Sequence, residues 1–287
     1  MPQTINTNII ALNAQRNVSS SQSSLASSMQ RLSSGLRVNS AKDDAAGMAI
    51  AERMTAQVRG MGVAARNAND GISLGQTAEG ALGKVSESLQ RMRELAVQSA
   101  NATNSDSDKD SLDKEFGELA KEIQRVLGGT TFNGLAVLGG DAGVMQFQVG
   151  ANTTSNDTIS ITTTNMTADA TITSVAGTDN TGSGRGKIDS TATSGDIQGV
   201  IGDIDTAIDT INGERATLGA SQSRFEAAIS NLQISIENQS AARSRIVDTD
   251  FAAETANLSR AQILQQAGNA MVAQANQLPQ QVLQLLR

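Results

Sequence analysis

Two stretches of this sequence have residue types and spacings that could bind a metal ion or a phosphate. In the first, Asp106, Asp108 and Asp110 alternate like the opening ligands of a calcium loop. Such a loop also needs a glycine and then a bidentate glutamate, but Ser111 and Gly117 stand at those positions. We therefore interpret the three acids as residues that precede and cap a helix.

The second stretch runs from Gly182 to Lys187 and resembles a phosphate-binding loop. That motif needs a glycine five residues before its Gly-Lys pair and a hydroxyl residue after the pair. Thr181 and Ile188 occupy those positions, and no strand-to-helix pattern surrounds them. We expect a flexible surface loop without catalytic chemistry.

Composition removes most catalytic chemistry from the rest of the chain. The sequence contains no His and no Cys, so it has no side chain that titrates near neutrality without perturbation, no thiolate nucleophile and no soft metal ligand. The acidic residues are spread along predicted helix faces, where charge usually serves only to solvate the surface. We expect no catalytic, cofactor-binding or metal site, and no enzyme.

The net charge of −7 is unevenly distributed. Residues 1–42 and residues 255–287 contain arginine and lysine but no acid. These cations are too dilute to indicate binding to nucleic acid, and they indicate instead that both termini share one environment. No apolar run approaches the ~20 residues of a membrane span, and the first six residues lack the features of a cleavable signal. We therefore expect no membrane insertion.

Four helical stretches are predicted from apolar residues spaced by three and four positions. The term seam is used here for the line of residues on a helix that faces a packed neighbour. The first helix has its predicted seam at Ile5, Ile9, Leu12, Leu25, Met29, Leu32 and Leu36. The second is predicted to begin near Ser40, an N-cap candidate, and to reach about residue 100. Its seam is Leu82, Val85, Leu89, Met92 and Ala96.

The third and fourth helices continue this pattern. The third seam is Leu112, Phe116, Leu119, Ile123 and Val126. The fourth helix is the longest, with its seam at positions 218, 222, 225, 229, 232, 236, 239, 243 and 246. Polar residues interrupt that seam, and such residues can fix register. After a break at residues 248–250 the helical pattern resumes with Ile263, Ala267, Ala270, Met271 and Gln274.

The segment between the third and fourth helices has a different composition. Residues 147–149 and 158–162 alternate and are rich in β-branched side chains, which predicts strands. Residues 151–195 are crowded with Thr, Ser, Asn and Gly, so most of them are expected to bury no core and to form a surface loop or a small β subdomain. The predicted fold is mainly α: an elongated bundle of long coiled-coil helices with a β-hairpin and a small Thr-rich central insert. Helices so long must pair with each other, and we expect the terminal ones to pair with neighbouring chains, which indicates an assembling protein.

Both ends of the sequence resemble the signature regions of bacterial flagellins. The N-terminal runs are residues 31–47, RLSSGLRVNSAKDDAAG, residues 66–73, RNANDGIS, and residues 76–82, QTAEGAL. The C-terminal runs are residues 258–268, LSRAQILQQAG, and residues 273–277, AQANQ. The resemblance covers roughly residues 1–150 and 200–287, and it is to a short flagellin with a minimal central variable region.

The resemblance implies a structural subunit that polymerises into the flagellar filament for motility. It implies an inner-tube coiled-coil domain of residues 1–42 and 255–287, and an outer-tube helical domain of residues 43–165 and 196–254. Residues 166–195 would form a small variable surface insert. It further implies a secreted protein of the extracellular flagellum, exported through the flagellar type III apparatus, with no cofactor.

Partners and contact residues follow from the same resemblance. The implied partners are further copies of the chain, an export chaperone, the filament cap protein, a hook-associated junction protein and the flagellin-sensing Toll-like receptor of hosts. A helix motif similar to the family's receptor-binding motif spans residues 89–95. It places these residues in the receptor contact set, with an exposed Leu95 beside Arg91: Gln90, Arg91, Leu95, Leu112 and Glu115. Residues 117–119 depart from the pattern of receptor-binding flagellins.

The polymerisation and chaperone segment implied by the resemblance lies near the C-terminus. It consists of Leu258, Arg260, Ile263, Leu264, Met271, Leu278, Val282 and Leu285. The main alternative is a hook–filament junction protein, whose termini are usually less similar to flagellin. A second alternative, a flagellin with a metallopeptidase insert, would need a His-Glu-x-x-His motif, and this sequence contains no His. A monomeric binding module would differ from a flagellin in failing to extend filament seeds.

Overall fold

The structure is a computed structural model that describes the backbone of residues 7–285 and the side chains of residues 7–277. Helix dominates these residues, so the predicted mainly α class is confirmed. The helices are α1 Ile9–Ser34, α2 Ala45–Ser99, α3 Asp106–Gly129, α4 Ala170–Ala176, α5 Ser194–Val247 and α6 Phe251–Leu285. The strands are β1 Thr131–Phe132, β2 Leu135–Ala136, β3 Val144–Gln148 and β4 Thr158–Thr162. Among the described residues no helix is long and apolar enough to cross a membrane.

The described residues form two compact units. Unit 1 contains those before residue 59 and after residue 236, and unit 2 contains residues 59–236. In unit 1 the helices α1 and α6 pack against each other. Two short connections of unit 1 are also joined, because the N–H of Arg37 donates to the carbonyl of Val247 at 2.6 Å and the N–H of Thr249 donates to that of Gly35 at 3.0 Å.

The start of α2 differs from the prediction that Ser40 would cap it. The Asp43 carboxylate accepts hydrogen bonds from the backbone N–H groups of Asn39 and Ser40, which folds these residues into a turn before the helix. Asp44 then caps the helix, since its carboxylate accepts the N–H of Gly47 at 2.8 Å. A carboxylate suits this place because the N–H groups of a helix start lack partners.

Unit 2 is built on the predicted seams of α2, α3 and α5. Every seam residue of α2 from Leu82 to Ala96 is at most 1 % exposed. In α3, Phe116 and Ile123 are equally buried. The predicted seam positions of α5 that belong to this unit, from 218 to 236, are buried or half-buried, and so are positions 239, 243 and 246, which belong to unit 1. One of the polar interruptions of this seam, Gln222, donates to Glu79 at 3.0 Å, so the polar group is satisfied inside the packing.

The predicted hairpin is formed by β3 and β4, which pair antiparallel with Phe147 opposite Ile159. Its place is fixed by aromatic packing and a hydrogen bond. The ring of Phe147 meets that of Phe225 edge-on, with centroids 5.5 Å apart. Asn67 of α2 donates to the carbonyl of Gln148 at 3.0 Å. A second hairpin, β1 with β2, turns at Asn133-Gly134, a dipeptide typical of tight hairpin turns.

Most of residues 151–195 bury no core, as expected, but a few aliphatic side chains of this segment do. Ile172 and Val175 of α4, and Ile188 beyond it, are fully buried in the core of unit 2. The short helix begins at Asp169, whose side chain accepts the N–H of Thr171 at 2.9 Å. A few well-spaced aliphatic side chains therefore anchor a segment whose average composition is polar.

The loop of residues 182–187 is also held in place, contrary to the prediction of a flexible loop. Arg185 donates through Nη1 to Asp113 Oδ1 at 2.8 Å, and its guanidinium lies 5.7 Å from the ring centroid of Phe116. Both charged side chains are largely buried, at 16 % and 14 % exposed. Gly117 leaves the space for Arg185, since a Cβ there would stand 3.1 Å from Nη2. The glycine at position 117, one of the three positions where the sequence departs from the pattern described above, therefore accommodates the Arg185 side chain.

Candidate functional site

The α1–α6 pair of unit 1 packs along two seams of mostly small and polar residues. On α1 the seam consists of Ala11, Ala14, Val18, Ser21, Leu25, Ser28 and Leu32, and Ser27 and Arg31 beside it are also half-buried. On α6 the seam consists of Glu254, Leu258, Ala261, Gln265, Gly268, Val272 and Ala275. Both series alternate steps of three and four, which is the heptad spacing of a coiled coil.

Most of the apolar residues predicted for these two helices do not lie in the α1–α6 packing. Of the α1 prediction, Leu25, Leu32 and Leu36 are half-buried, with Leu36 just beyond the end of α1, and Ile5 lies outside the described residues. The remaining predicted α1 residues are exposed: Ile9, Leu12 and Met29. All five residues predicted for the α6 seam are exposed as well: Ile263, Ala267, Ala270, Met271 and Gln274. The apolar stripes found in the sequence therefore lie largely on faces of α1 and α6 that do not meet each other.

Seven large apolar side chains that are exposed on α1 and α6 form what we call the outward apolar set. It consists of Ile9, Ile10, Leu12, Met29, Ile263, Leu264 and Met271. Four of them border a groove of about 650 Å³ between the two helices. Leaving so many large apolar side chains in water is unfavourable, at about 25 cal/mol for each Å² of apolar surface. This surface is therefore suited to packing against another chain, which would bury these side chains.

The predicted polymerisation residues are distributed over both faces of α6. Arg260, Ile263, Leu264 and Met271 are exposed, whereas Leu258 is half-buried against α1. The side chains of the three remaining predicted residues lie outside the described residues: Leu278, Val282 and Leu285. Ile9, Ile10 and Met29 of α1 were not assigned to this surface from the sequence, although their exposure matches that of the α6 residues.

The second candidate surface lies on α2 and α3 of unit 2. Arg91 Nε donates to Glu115 Oε1 at 2.9 Å, and Arg91 Nη1 donates to Glu94 Oε2 at 2.9 Å. These hydrogen bonds, Glu94 first and Glu115 second, raise the pKa of Arg91 above its ordinary value. On the other side of α2, Arg93 donates through Nε to Asp205 at 2.6 Å. The exposed face of α2 thus carries arginines whose positions are fixed by carboxylates of α3 and α5.

The predicted receptor residues are only partly brought together. Gln90, Arg91 and Glu115 are exposed, and Leu112 is half-buried. Leu95 is only 1 % exposed, so the expectation of an exposed leucine beside Arg91 is wrong. Leu95 follows Met92 by three positions and therefore falls on the buried face. Val97 and Gln98 lie on the exposed face instead, and their spacing from Arg91 and Glu94 could have indicated it.

The acids of residues 106–110 help to cap α3, as the sequence indicated, but they lie in its first turns and not before it, and one of them also anchors a later segment. Ser105 and Asp108 form a capping box, with the Asp108 carboxylate accepting the Ser105 N–H at 3.0 Å. Asp110 accepts the N–H of Ser190 at 3.0 Å. In the part of the chain that the structure describes, no group of three or more His, Cys, Asp or Glu residues could hold a metal ion.

Comparison with known proteins connects these surfaces to a family. Residues 5–142 match the family model of the bacterial flagellin N-terminal helical region, and residues 201–286 match that of the C-terminal helical region. A flagellin of Halalkalibacterium halodurans is 47 % identical over 99 % of both chains. Flagellins of Xenorhabdus nematophila and Bacillus subtilis strain 168 are 45 % and 43 % identical over at least 99 % of each chain.

A crystal structure of Bacillus cereus flagellin is similar over 58 % of this chain and 88 % of that chain, with 34 % identity and a TM-score of 0.48.

Large apolar side chains exposed along a pair of long helices are typical of a structural protein that assembles with other chains. The two family-model matches and the near full-length relatives show that the chain belongs to the bacterial flagellin family. It is a structural subunit that polymerises into the flagellar filament for motility, and flagellins are not enzymes. As a filament component it is part of the extracellular flagellum. The resemblance found in the sequence is confirmed.

Proposed function

We propose that the outward apolar set is the surface through which this subunit contacts its neighbours in the filament. The observation that supports this is the packing of unit 1, where the buried residues of α1 and α6 are mostly small and most of the large apolar residues face solvent. A monomer pays a free-energy penalty for that exposure, and assembly removes it. Before assembly, an export chaperone covers the α6 part of the set, together with Leu278, Val282 and Leu285.

The remaining family expectations form part of the same proposal. Residues 1–42 and 255–287 form the inner-tube domain, residues 43–165 and 196–254 the outer-tube domain, and residues 166–195 the variable insert. The chain is secreted through the flagellar type III apparatus and assembles between the cap protein and the hook-associated junction protein. A junction protein, the alternative role, would end a hook rather than elongate a filament, so seeded elongation distinguishes the two.

Acidic substitutions on α6 test the assembly surface. We expect Ile263→Asp and Met271→Asp each to raise the critical concentration for seeded polymerisation by at least about tenfold, because a carboxylate would be buried without a partner. Sedimentation of filaments grown on fragmented seeds measures this concentration. Gln262→Asp, at an exposed neighbouring position, is the matched control and should polymerise almost normally. Normal polymerisation of both apolar variants would show that neighbours contact another surface.

We also propose that the flagellin-sensing Toll-like receptor of hosts binds the monomer at the exposed face of α2 and α3. The observation that favours this function is the ordered Arg91 side chain, which two carboxylates hold in place while half of it stays exposed. An ordered arginine loses less entropy on binding, and arginine is enriched among interface residues that dominate affinity. Gln90 and Leu112 border this site, and Leu95 supports it from the core.

A reporter-cell assay on monomeric protein tests the receptor site. We expect Arg91→Ala and Glu115→Ala to lower potency by about tenfold or more, as hot-spot truncations do. Lys84→Ala is the matched control, since Lys84 is an exposed cation of the same helix, paired with Glu87. Leu95→Ala should lower potency only with a loss of thermal stability. Equal potency of the Arg91, Glu115 and Lys84 variants would refute the site, and silence of the wild-type monomer would refute the activity.

A further inference from the structure

The α1–α6 seam has little in its apolar packing that fixes one register. Most of its residues are Ala, Ser, Gly or Gln, and it includes few large apolar residues, among them Leu25 and Leu258. Sliding α6 by one heptad, about 10 Å, would bring similar small residues together again. The same slide would move the outward residues of α6 by that distance relative to those of α1. Register is therefore weakly specified by apolar burial but decisive for the shape of the outer surface.

Three specific contacts along the pair agree on a single antiparallel register. Near one end of the pair, Asn8 Nδ2 donates to the carbonyl of Ala275 at 2.7 Å. In the middle, Val18 packs onto Gly268 so closely that a Cβ at position 268 would stand 2.6 Å from Val18 Cγ2. At the other end, Arg31 Nη1 lies 3.9 Å from Glu254 Oε2. Residue numbers rise along α1 as they fall along α6.

Glu254 is the informative member of this series. It is the only acidic residue in the sequence of α1 or α6, and it lies on the seam with its side chain 8 % exposed. Burying a carboxylate costs free energy that a single partly exposed arginine does not fully return, so such a pair is poor evidence for stability and is better explained by specificity. One heptad of slip would place Glu254 opposite Ser24 or Val38, neither of which is a cation.

The Val18–Gly268 contact discriminates between registers by shape. In the observed register the valine fills the space that the missing glycine side chain leaves. After a slip of one heptad, Gly268 would face Ala11 or Leu25. Ala11 would leave the space unfilled, and Leu25 is larger than the valine that already fills it. Either slip loses packing that the native register has.

We propose that Arg31 with Glu254, and Val18 with Gly268, are positioning residues that set the register of α1 against α6 and thereby arrange the outward apolar set for polymerisation. This inference rests on the proposed assembly surface, because register matters only if neighbours contact that set. The four residues act through the geometry of the pair and not through direct contact with a neighbouring subunit.

Charge exchange tests the ion pair. We expect Arg31→Glu and Glu254→Arg each to raise the critical concentration for seeded polymerisation on the order of tenfold, since Arg31 remains 33 % exposed and solvent weakens the pair. The double variant, which restores opposite charges, should return to within about threefold of wild type. Combining Glu254→Arg with Arg16→Glu gives a mismatched control, which should not recover. A matched pair that recovers no better than the mismatched pair overturns the proposal, and so do single variants that polymerise normally.

Cysteine cross-linking reads the register directly, and the chain contains no native cysteine to interfere. A Cβ at position 268 would lie 3.8 Å from the Cβ of Val18, which is close to the spacing in a disulfide. After oxidation, filaments of Val18→Cys/Gly268→Cys should contain mostly intrachain disulfides, whereas Ala11→Cys/Gly268→Cys, one heptad away, should contain few. Equal cross-linking of the two pairs overturns the proposal.

The outcomes also separate this proposal from the assembly surface. Specific cross-linking and charge-exchange recovery, combined with normal polymerisation of Ile263→Asp and Met271→Asp, would leave the register assignment standing and remove the assembly surface. Failure of specific cross-linking and of charge-exchange recovery, combined with the expected defects of the aspartate variants, would remove the register assignment and leave the assembly surface standing.

Discussion

At the residue scale, Asp113 shows how one carboxylate connects the central insert to α3. Its Oδ1 accepts hydrogen bonds from Arg185 Nη1 at 2.8 Å and from the backbone N–H of Ile188 at 3.1 Å. Burial by itself raises the pKa of Asp113, but the hydrogen bonds from Arg185 and Ile188 together outweigh it. The pKa of Asp113 therefore lies below its ordinary value. The charged form of this carboxyl stabilises the folded insert.

This lowered pKa predicts a pH dependence with a definite sign. A carboxyl whose folded pKa is depressed contributes stability above its unfolded pKa, about 3.9, and that contribution is lost as pH falls through the folded pKa. We expect Asp113→Asn to lower the thermal midpoint of unit 2 by about 5 °C at pH 7. The difference from wild type should shrink as the pH is lowered below 4.

Circular dichroism melts at several pH values measure this difference. Asp205→Asn is a suitable control, because Asp205 forms an ion pair with Arg93 in which both side chains are about half exposed, and exposed pairs contribute ~0–1 kcal/mol. A stability loss in Asp113→Asn that is the same at every pH would show that the carboxyl acts by shape and not by charge.

At the element scale, two glycines of α2 have different surroundings, and only one of them is required by packing. Gly71 faces the ring of Phe225, and a Cβ there would stand 2.8 Å from Phe225 Cζ. The same ring meets Phe147 of the β3–β4 hairpin, so Gly71 permits the packing that joins α2, α5 and the hairpin. Gly80 has nothing within 4 Å of a Cβ position, and its backbone is helical.

These two glycines predict opposite effects of the same substitution. Glycine costs about 1 kcal/mol relative to alanine inside a helix, so Gly80→Ala should raise the thermal midpoint of the monomer by a few degrees. Gly71→Ala should lower it by several degrees, because overpacking of a core typically costs about 1–3 kcal/mol. Calorimetry of the two variants beside wild type tests both signs. A rise for Gly71→Ala would mean that Phe225 moves aside at no cost.

The sequence predicted the elements of unit 2 better than those of unit 1, for a physical reason. In α5, large apolar residues such as Phe225 and Leu232 face their partners within the same chain, so apolar spacing identifies the buried face. In α1 and α6 most of the large apolar residues are exposed, and the packed face is made mostly of small residues such as Ala261 and Ser28. Spacing alone does not tell which of two faces meets the same chain and which meets another.

In the candidate receptor site, too, the sequence placed some residues correctly and others wrongly. Arg91, a predicted contact residue, is exposed, because helical geometry places it on another face than the buried Leu89 and Met92. Leu95 was assigned to the exposed face from the resemblance, but the same geometry places it on the buried face of α2. In the insert, Ile172 and Ile188 were missed because two aliphatic residues among many Thr and Ser give no periodic signal.

At the scale of the whole molecule, the two units are stabilised by different amounts of buried apolar surface. Unit 2 has a continuous core with large, fully buried side chains such as Phe116, Phe225 and Leu89. In unit 1, the described parts of α1 and α6 have three buried residues with apolar or small side chains: Ser28, Ala261 and Ala275. Since burial of apolar area is the main favourable contribution to folding, the α1–α6 pair should open far more readily than unit 2.

Hydrogen exchange measured by mass spectrometry tests this difference. In the monomer, we expect backbone amides of α1 and of residues 251–277 to exchange within seconds to minutes, because local opening needs little free energy there. Amides of α3 and of residues 82–96 should exchange orders of magnitude more slowly, since opening them exposes the core of unit 2. In filaments the α1 and α6 amides should become protected, because neighbouring subunits then cover the outward apolar set. If α1 in the monomer exchanged as slowly as α3, the pair would be stable by itself, and assembly would not be what completes the folding of unit 1.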